Sequence, residues 1–121
     1  MNQATAEAMK STSISATVYE DYPMPDEIFI EGRADAKVHW LHASAPGEPA
    51  YYAGLWTAQP CKFNYEFMLH ESAHILEGSV TVTANGETLH LGPGDIAYFP
   101  KGTKSVWHIT APLKKIFVDT E

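Results

Sequence analysis

Cysteine is almost missing from this chain. Cys61 is the only one, so no intrachain disulfide can form and no Cys-based zinc cluster can be built. It follows Pro60, with Lys62 as its one basic neighbour, which is the setting of a buried or incidental thiol rather than a nucleophile. Basic residues are scarce as well: 8 Lys and Arg stand against 15 Asp and Glu, for a formal charge of −7. Those few cations are scattered, which excludes docking on a nucleic-acid backbone and argues against an anionic lipid surface. No apolar run reaches the length that spans a bilayer, and MNQATAEAMKSTSIS lacks the basic opening and long apolar block of a secretory signal. The expectation is a soluble, cytoplasmic protein with neither nucleic acid nor membrane as partner. Repeats, low-complexity segments and helical periodicity are also lacking.

What the chain does contain is β-strand. Its 121 residues suit one domain with a real core. Residues 1–25 begin small and polar and are expected to form a flexible arm or short helix, ahead of a barrel domain over residues 26–121. KVHWLH, YYAGLWT, KFNYEFML, AHILEG, SVTVTA, ETLHL, DIAYF, SVWHIT and KIFVD are short runs rich in β-branched and aromatic residues. APGEP, AQP, ANGE, GPGD, PKGT and APL separate them as turn signals. Short, regularly spaced strands of this kind predict an all-β sandwich or barrel. Val80 and Val82 alternate with Thr81 and Thr83, one face for the core and one for water, and Asn85-Gly86 supplies a tight hairpin turn.

HESAHILEGSVTV, residues 70–82, offers two histidines and two glutamates as raw material for a metal centre. The stretch from Glu71 through ILEG, with GPGD at 92–95 and FPKG at 99–102, resembles the cupin superfamily. The first motif of that family ends in a glutamate, six residues and a glycine, as Glu71 and Gly78 do. Its second runs glycine, five residues, proline, one residue, glycine, as Gly94, Pro100 and Gly102 do. GLW at 54–56, HILEG, Trp107 and KKIF at 114–117 narrow the resemblance to small cupins grouped with ureidoglycine aminohydrolase and the ethanolamine-utilisation cupins. It implies a double-stranded β-helix, the cupin jelly roll, with a mouth of small-molecule size, and it covers about residues 50–119.

The same resemblance implies a metal held by two histidines, the glutamate and a third histidine. On this sequence the first two fall on Tyr65 and Phe67, or on Asn64 and Glu66 if the loop is one residue longer, and the third on Ser105. Only Glu71 is retained. Rings lend no lone pair to a cation and a serine hydroxyl is a weak ligand, so no metal cofactor is expected at the usual site. His70 and His74 stand at odd offsets from Glu71 and should point to the opposite face, where a hydrogen-bonded or interfacial role is the plainer reading. By the same alternation His108 faces away from Ser105 and Trp107, and His39 and His42 cannot form a pair. An atypical metal site built from these histidines is the remaining alternative.

Tyr65, Phe67, Glu71, Ser105 and Trp107 are therefore the expected inward residues near the mouth, with Trp56 and Lys115 added. Glu71 is the candidate catalytic residue: a carboxylate among aromatic walls has a raised pKa unless a cation such as Lys115 reaches it, and it can then act as acid or base. A structural hydrogen bond to the Ser105 or Tyr65 hydroxyl would satisfy Glu71 equally, and the aromatics alone read as core. Three functions follow for the resemblance to carry: an enzyme acting on a small polar metabolite, a binding or sensor domain that turns nothing over, or a structural dimerisation module. The expected partners are a small-molecule ligand and a second copy of the chain, with residues 27–42 pairing partly across the homodimer boundary.

Overall fold

The computed structural model describes residues 8–121; the first seven residues of the expected arm lie outside that range. The described chain is strand almost throughout: β1 (Glu20–Asp21), β2 (Phe29–Glu31), β3 (Lys37–Ala43), β4 (Tyr51–Ala58), β5 (Cys61–Glu66), β6 (His70–Ala84), β7 (Glu87–Leu91), β8 (Ile96–Phe99) and β9 (Lys104–Thr120). A single 3-10 turn, Asp26–Ile28, precedes β2. No described helix is long and apolar enough to cross a membrane. All pairings are antiparallel, and the sheet curls on itself as the expected jelly roll.

Strand β9 organises this barrel. One of its edges pairs with β4 from Leu113 to Thr120 and with β5 from Lys104 to Ile109, while the other pairs with β6 along most of its length. Pro112 sits where the first edge changes partner, a place that needs no ladder donor. APL is thus a corner inside one strand rather than a turn between two, and SVWHIT and KIFVD are one element. AHILEG and SVTVTA are likewise one strand, bent by register shifts between Ile75 and Val80 that lie opposite the β9 corner. The shifts also change the inward set from Glu71, Ala73 and Ile75 to Val80 and Val82, all buried. Gly78 permits the bend: its φ is +86°, and any Cβ there would run into the Pro112 carbonyl.

The core inside the curl is continuous from Val38 and Trp56 to Phe63, Phe67, Ile75, Val82, Phe99, Trp107 and Leu113. Burying each such side chain stabilises the fold by about 1.5–3 kcal/mol. Asn85 and Gly86 take φ of 53° and 75° in the β6–β7 hairpin, as the Asn-Gly pair predicts.

Residues 8–25 form no helix. Tyr22 and Met24 pack against the core. The His39 ring bonds the Val18 carbonyl at 2.8 Å and the Thr12 hydroxyl at 2.7 Å, and Lys10 Nζ meets His42 Nδ1 at 2.7 Å. His39 and His42 share the outer face, because the register shifts between Trp40 and His42 and defeats simple alternation. Each histidine nevertheless binds the arm and not the other. Within the chain, β2 pairs with β5 and β3 lies between β1 and β4.

Gly78→Ala should destabilise the protein far more than Gly86→Ala. Gly86 also has positive φ but nothing within 4 Å of an added Cβ, so its cost is that of a left-handed alanine, about 1–2 kcal/mol. Gly78→Ala adds a backbone collision, and chemical denaturation should show at least twice the loss. Equal losses would mean that the corner does not depend on this approach.

Candidate functional site

The curl leaves a half-open cavity of about 320 Å³ at one end of the barrel. Its geometry follows from strand register. Tyr52, Asp119 and Glu71 are neighbours in a row across β4, β9 and β6, and Trp56, Lys115 and Ile75 form a deeper row across the same strands. Strand β5 and the residue after it add Phe63, Tyr65 and Phe67 from the other wall, while Met68 and Leu69 border the opening. Of the residues expected from sequence, Tyr65, Phe67, Glu71, Trp107, Trp56 and Lys115 all line this cavity. Ser105 does not. It is buried, but its hydroxyl donates to the Tyr65 carbonyl at 2.8 Å, tying β9 to β5 instead of facing the cavity.

Lys115 is the centre of the site. Its Nζ donates to Glu71 Oε2 at 2.6 Å, with side-chain exposures of only 8% and 6%. The ammonium also lies 4.9 Å from the Trp56 ring centroid and 4.7 Å from that of Trp107, over both ring faces. Cation–π attraction of this desolvated kind is worth about 2 kcal/mol. Glu71 is thus satisfied by a cation, and neither the Ser105 nor the Tyr65 hydroxyl is its partner.

Asp119 is the residue that sequence reasoning missed. It meets the Glu71 carboxylate side by side, a contact that is a hydrogen bond only when one of the two carries a proton. Burial, followed by the negative charge of Glu71 and the hydrogen bond to it, pushes the Asp119 carboxyl up to about 8, against the opposing pull of Lys115. Oδ1 of Asp119 is buried and meets no donor among the described residues; the indole Nε1 of Trp107 is likewise unpartnered. The phenols of Tyr22 and Tyr65 are pushed upward, first by burial and then by these carboxylates. Alternation could have found Asp119, since Lys115, Phe117 and Asp119 share one face of β9. Tyr52 stands in the same relation to Trp56 on β4.

The donors do not fit a transition metal. Tyr65 and Phe67 present rings, the Ser105 hydroxyl is committed to a carbonyl, and the Glu71 carboxylate is held by an ammonium. Among the described residues no three His, Cys, Asp or Glu side chains converge in a metal-binding group. His70 belongs to the opposite face: its Nδ1 accepts the Lys101 backbone N–H at 3.0 Å and lies 3.0 Å from the Tyr98 hydroxyl, with the two rings stacked.

Comparison with known proteins agrees with this architecture. A putative ethanolamine utilization protein Q from Salmonella typhimurium superposes with a TM-score of 0.61 at 22% identity, over 70% of this chain and 68% of that one. The polyketide cyclase RemF of Streptomyces resistomycificus gives 0.69 at 16% identity, over 93% and 80%. A Pseudomonas syringae protein of unknown function gives 0.78 at 22%, over 89% of this chain and 46% of that one. At these identities the likeness is one of fold. No curated relative matches the chain. The model of the EutQ-like cupin domain matches residues 48–117, more than half of the sequence and the part that carries β4 to most of β9. The chain therefore belongs to the EutQ-like cupin family.

Proposed function

We propose that this cupin binds a small polar metabolite in the mouth of its barrel. The observation that carries the reading is the open cavity itself, walled by aromatic rings and lined by the side chains of Glu71 and Asp119. A cavity of this size suits a small ligand, and apolar walls with a few converging polar groups are what such sites require. A purely structural subunit would be expected to fill its barrel, so the cavity speaks against the dimerisation module as the sole role. Acid–base chemistry is a second reading with support of its own. Burial and the charge of Glu71 push the Asp119 carboxyl up to about 8, whereas Glu71 is held in the Lys115 pair, so the two carboxylates would act as a unit.

Thermal denaturation against panels of small polar compounds checks the first reading. A true ligand should raise the melting temperature saturably, by the equivalent of about 2.7 kcal/mol at a hundredfold excess over Kd. Trp40→Ala, which removes one lining ring, should weaken that shift while leaving the unliganded protein folded. If no neutral, cationic or anionic compound stabilises the protein, the reading fails.

Asp119 also makes stability depend on pH. Its folded pKa of about 8 lies above the ordinary 3.8, so the folded state holds a proton that the unfolded chain releases. The contribution of Asp119 is therefore fully present below the ordinary value and is lost as pH rises toward the folded one. Wild-type stability should fall between pH 5 and pH 8 relative to Asp119→Asn, in which that component of the slope is missing. Parallel profiles for the two proteins would place the Asp119 proton elsewhere.

A further inference from the structure

Granting that the mouth binds a small molecule, we propose that the ligand is a protonated primary amine, which sets its ammonium on the Asp119 carboxylate against the faces of Tyr52 and Trp40. Charge is the first argument. Among the residues lining the cavity Lys115 is the one cation, and it is already engaged by Glu71 and two indole rings. An anionic ligand would meet two carboxylates and find no free cation; an ammonium meets the Asp119 carboxylate, which has no ion-pair partner among the described residues. The second argument is the wall. The protein's own ammonium rests on the faces of Trp56 and Trp107, and a similar pair of rings lies nearer the opening. Tyr52 is the register neighbour of Asp119, and its ring centroid is 6.0 Å from that of Trp40. The net charge of −7 draws cations toward the molecule before any contact forms.

The proton balance is explicit. Below the Asp119 pKa the free site holds one proton between two carboxylates; with the ammonium bound, both are ionised and that proton passes to the buffer. Groups facing Asp119 are Glu71 from β6, Lys115 from its own strand, Tyr52 from β4, Tyr65 from β5 and Tyr22 from the N-terminal segment. Burial raises the phenols of Tyr22 and Tyr65 above their ordinary value, so the carboxyl pair supplies the proton. Affinity for the amine should rise with pH up to about 8 and then level.

Calorimetric titration of the full chain at pH 6.5 with 2-phenylethylamine, 2-phenylethanol and 3-phenylpropionate, each in two buffers of different ionisation enthalpy, tests the inference. The amine should bind at least tenfold more tightly than the alcohol or the acid and release about one proton. Asp119→Asn, whose amide can still donate to Glu71, should keep its thermal transition and lose both the preference and the proton release. Tyr52→Leu should weaken the amine while leaving proton release on binding intact. If the alcohol or the acid binds as well as the amine, or the amine binds without releasing a proton, the amine assignment is overturned while the mouth remains a binding site. If none of the three binds and no other amine does, this inference falls, and the binding reading falls with it only when no neutral or anionic compound stabilises the protein either.

Discussion

The ion pair of Lys115 with Glu71 is the constraint on which the rest of the site depends. Two ions almost out of water would each cost several kcal/mol if left alone, and replacing such a pair by apolar residues often stabilises a fold. Its persistence in the wall of a cavity therefore points to organisation rather than to stability. The ammonium sets the position of Glu71 and leaves Asp119 as the group without a cation of its own. Burial, and after it the charge of Glu71, then raises the Asp119 pKa.

The pair is itself a product of how β9 runs. Because this strand turns its corner at Pro112 without breaking, Trp107 before the corner and Lys115 after it line the same cavity from one continuous face. The glycine opposite lets the backbones approach closely enough for both strands to bend together. In the cupin arrangement implied by sequence the glutamate serves a divalent cation. Here the positive charge beside Glu71 is a side chain of the same barrel, fixed in place by two rings.

Much of this was legible in the sequence. Alternation over SVTVTA, the Asn-Gly turn and the resemblance carried by the motifs Glu71–Gly78 and Gly94–Gly102 were enough for the barrel, and the inward residues of β5 and β6 followed from Glu71. The long strands were not legible, because APL and the EGS that follows ILE read as punctuation while the partner strand supplies the hydrogen bonds that carry the chain through them. Asp119 was hidden for a different reason. A carboxylate close to the end of a chain reads as solvated, and only register against Glu71 and Tyr52 brings it to the cavity. His39 and His42 illustrate the limit of parity: one bulge at Leu41 puts both on the same face.

A double-mutant cycle on Lys115 and Glu71, read by chemical denaturation at pH 7, tests the central claim most directly. Lys115→Met leaves Glu71 buried without its cation, and Glu71→Gln leaves the ammonium without its anion; each should cost about 3–5 kcal/mol. The double variant, with no uncompensated charge in the pair, should recover most of that loss, giving a coupling energy of several kcal/mol. Losses that simply add would contradict the account, because they would mean that the two side chains do not hold each other in the wall of the barrel.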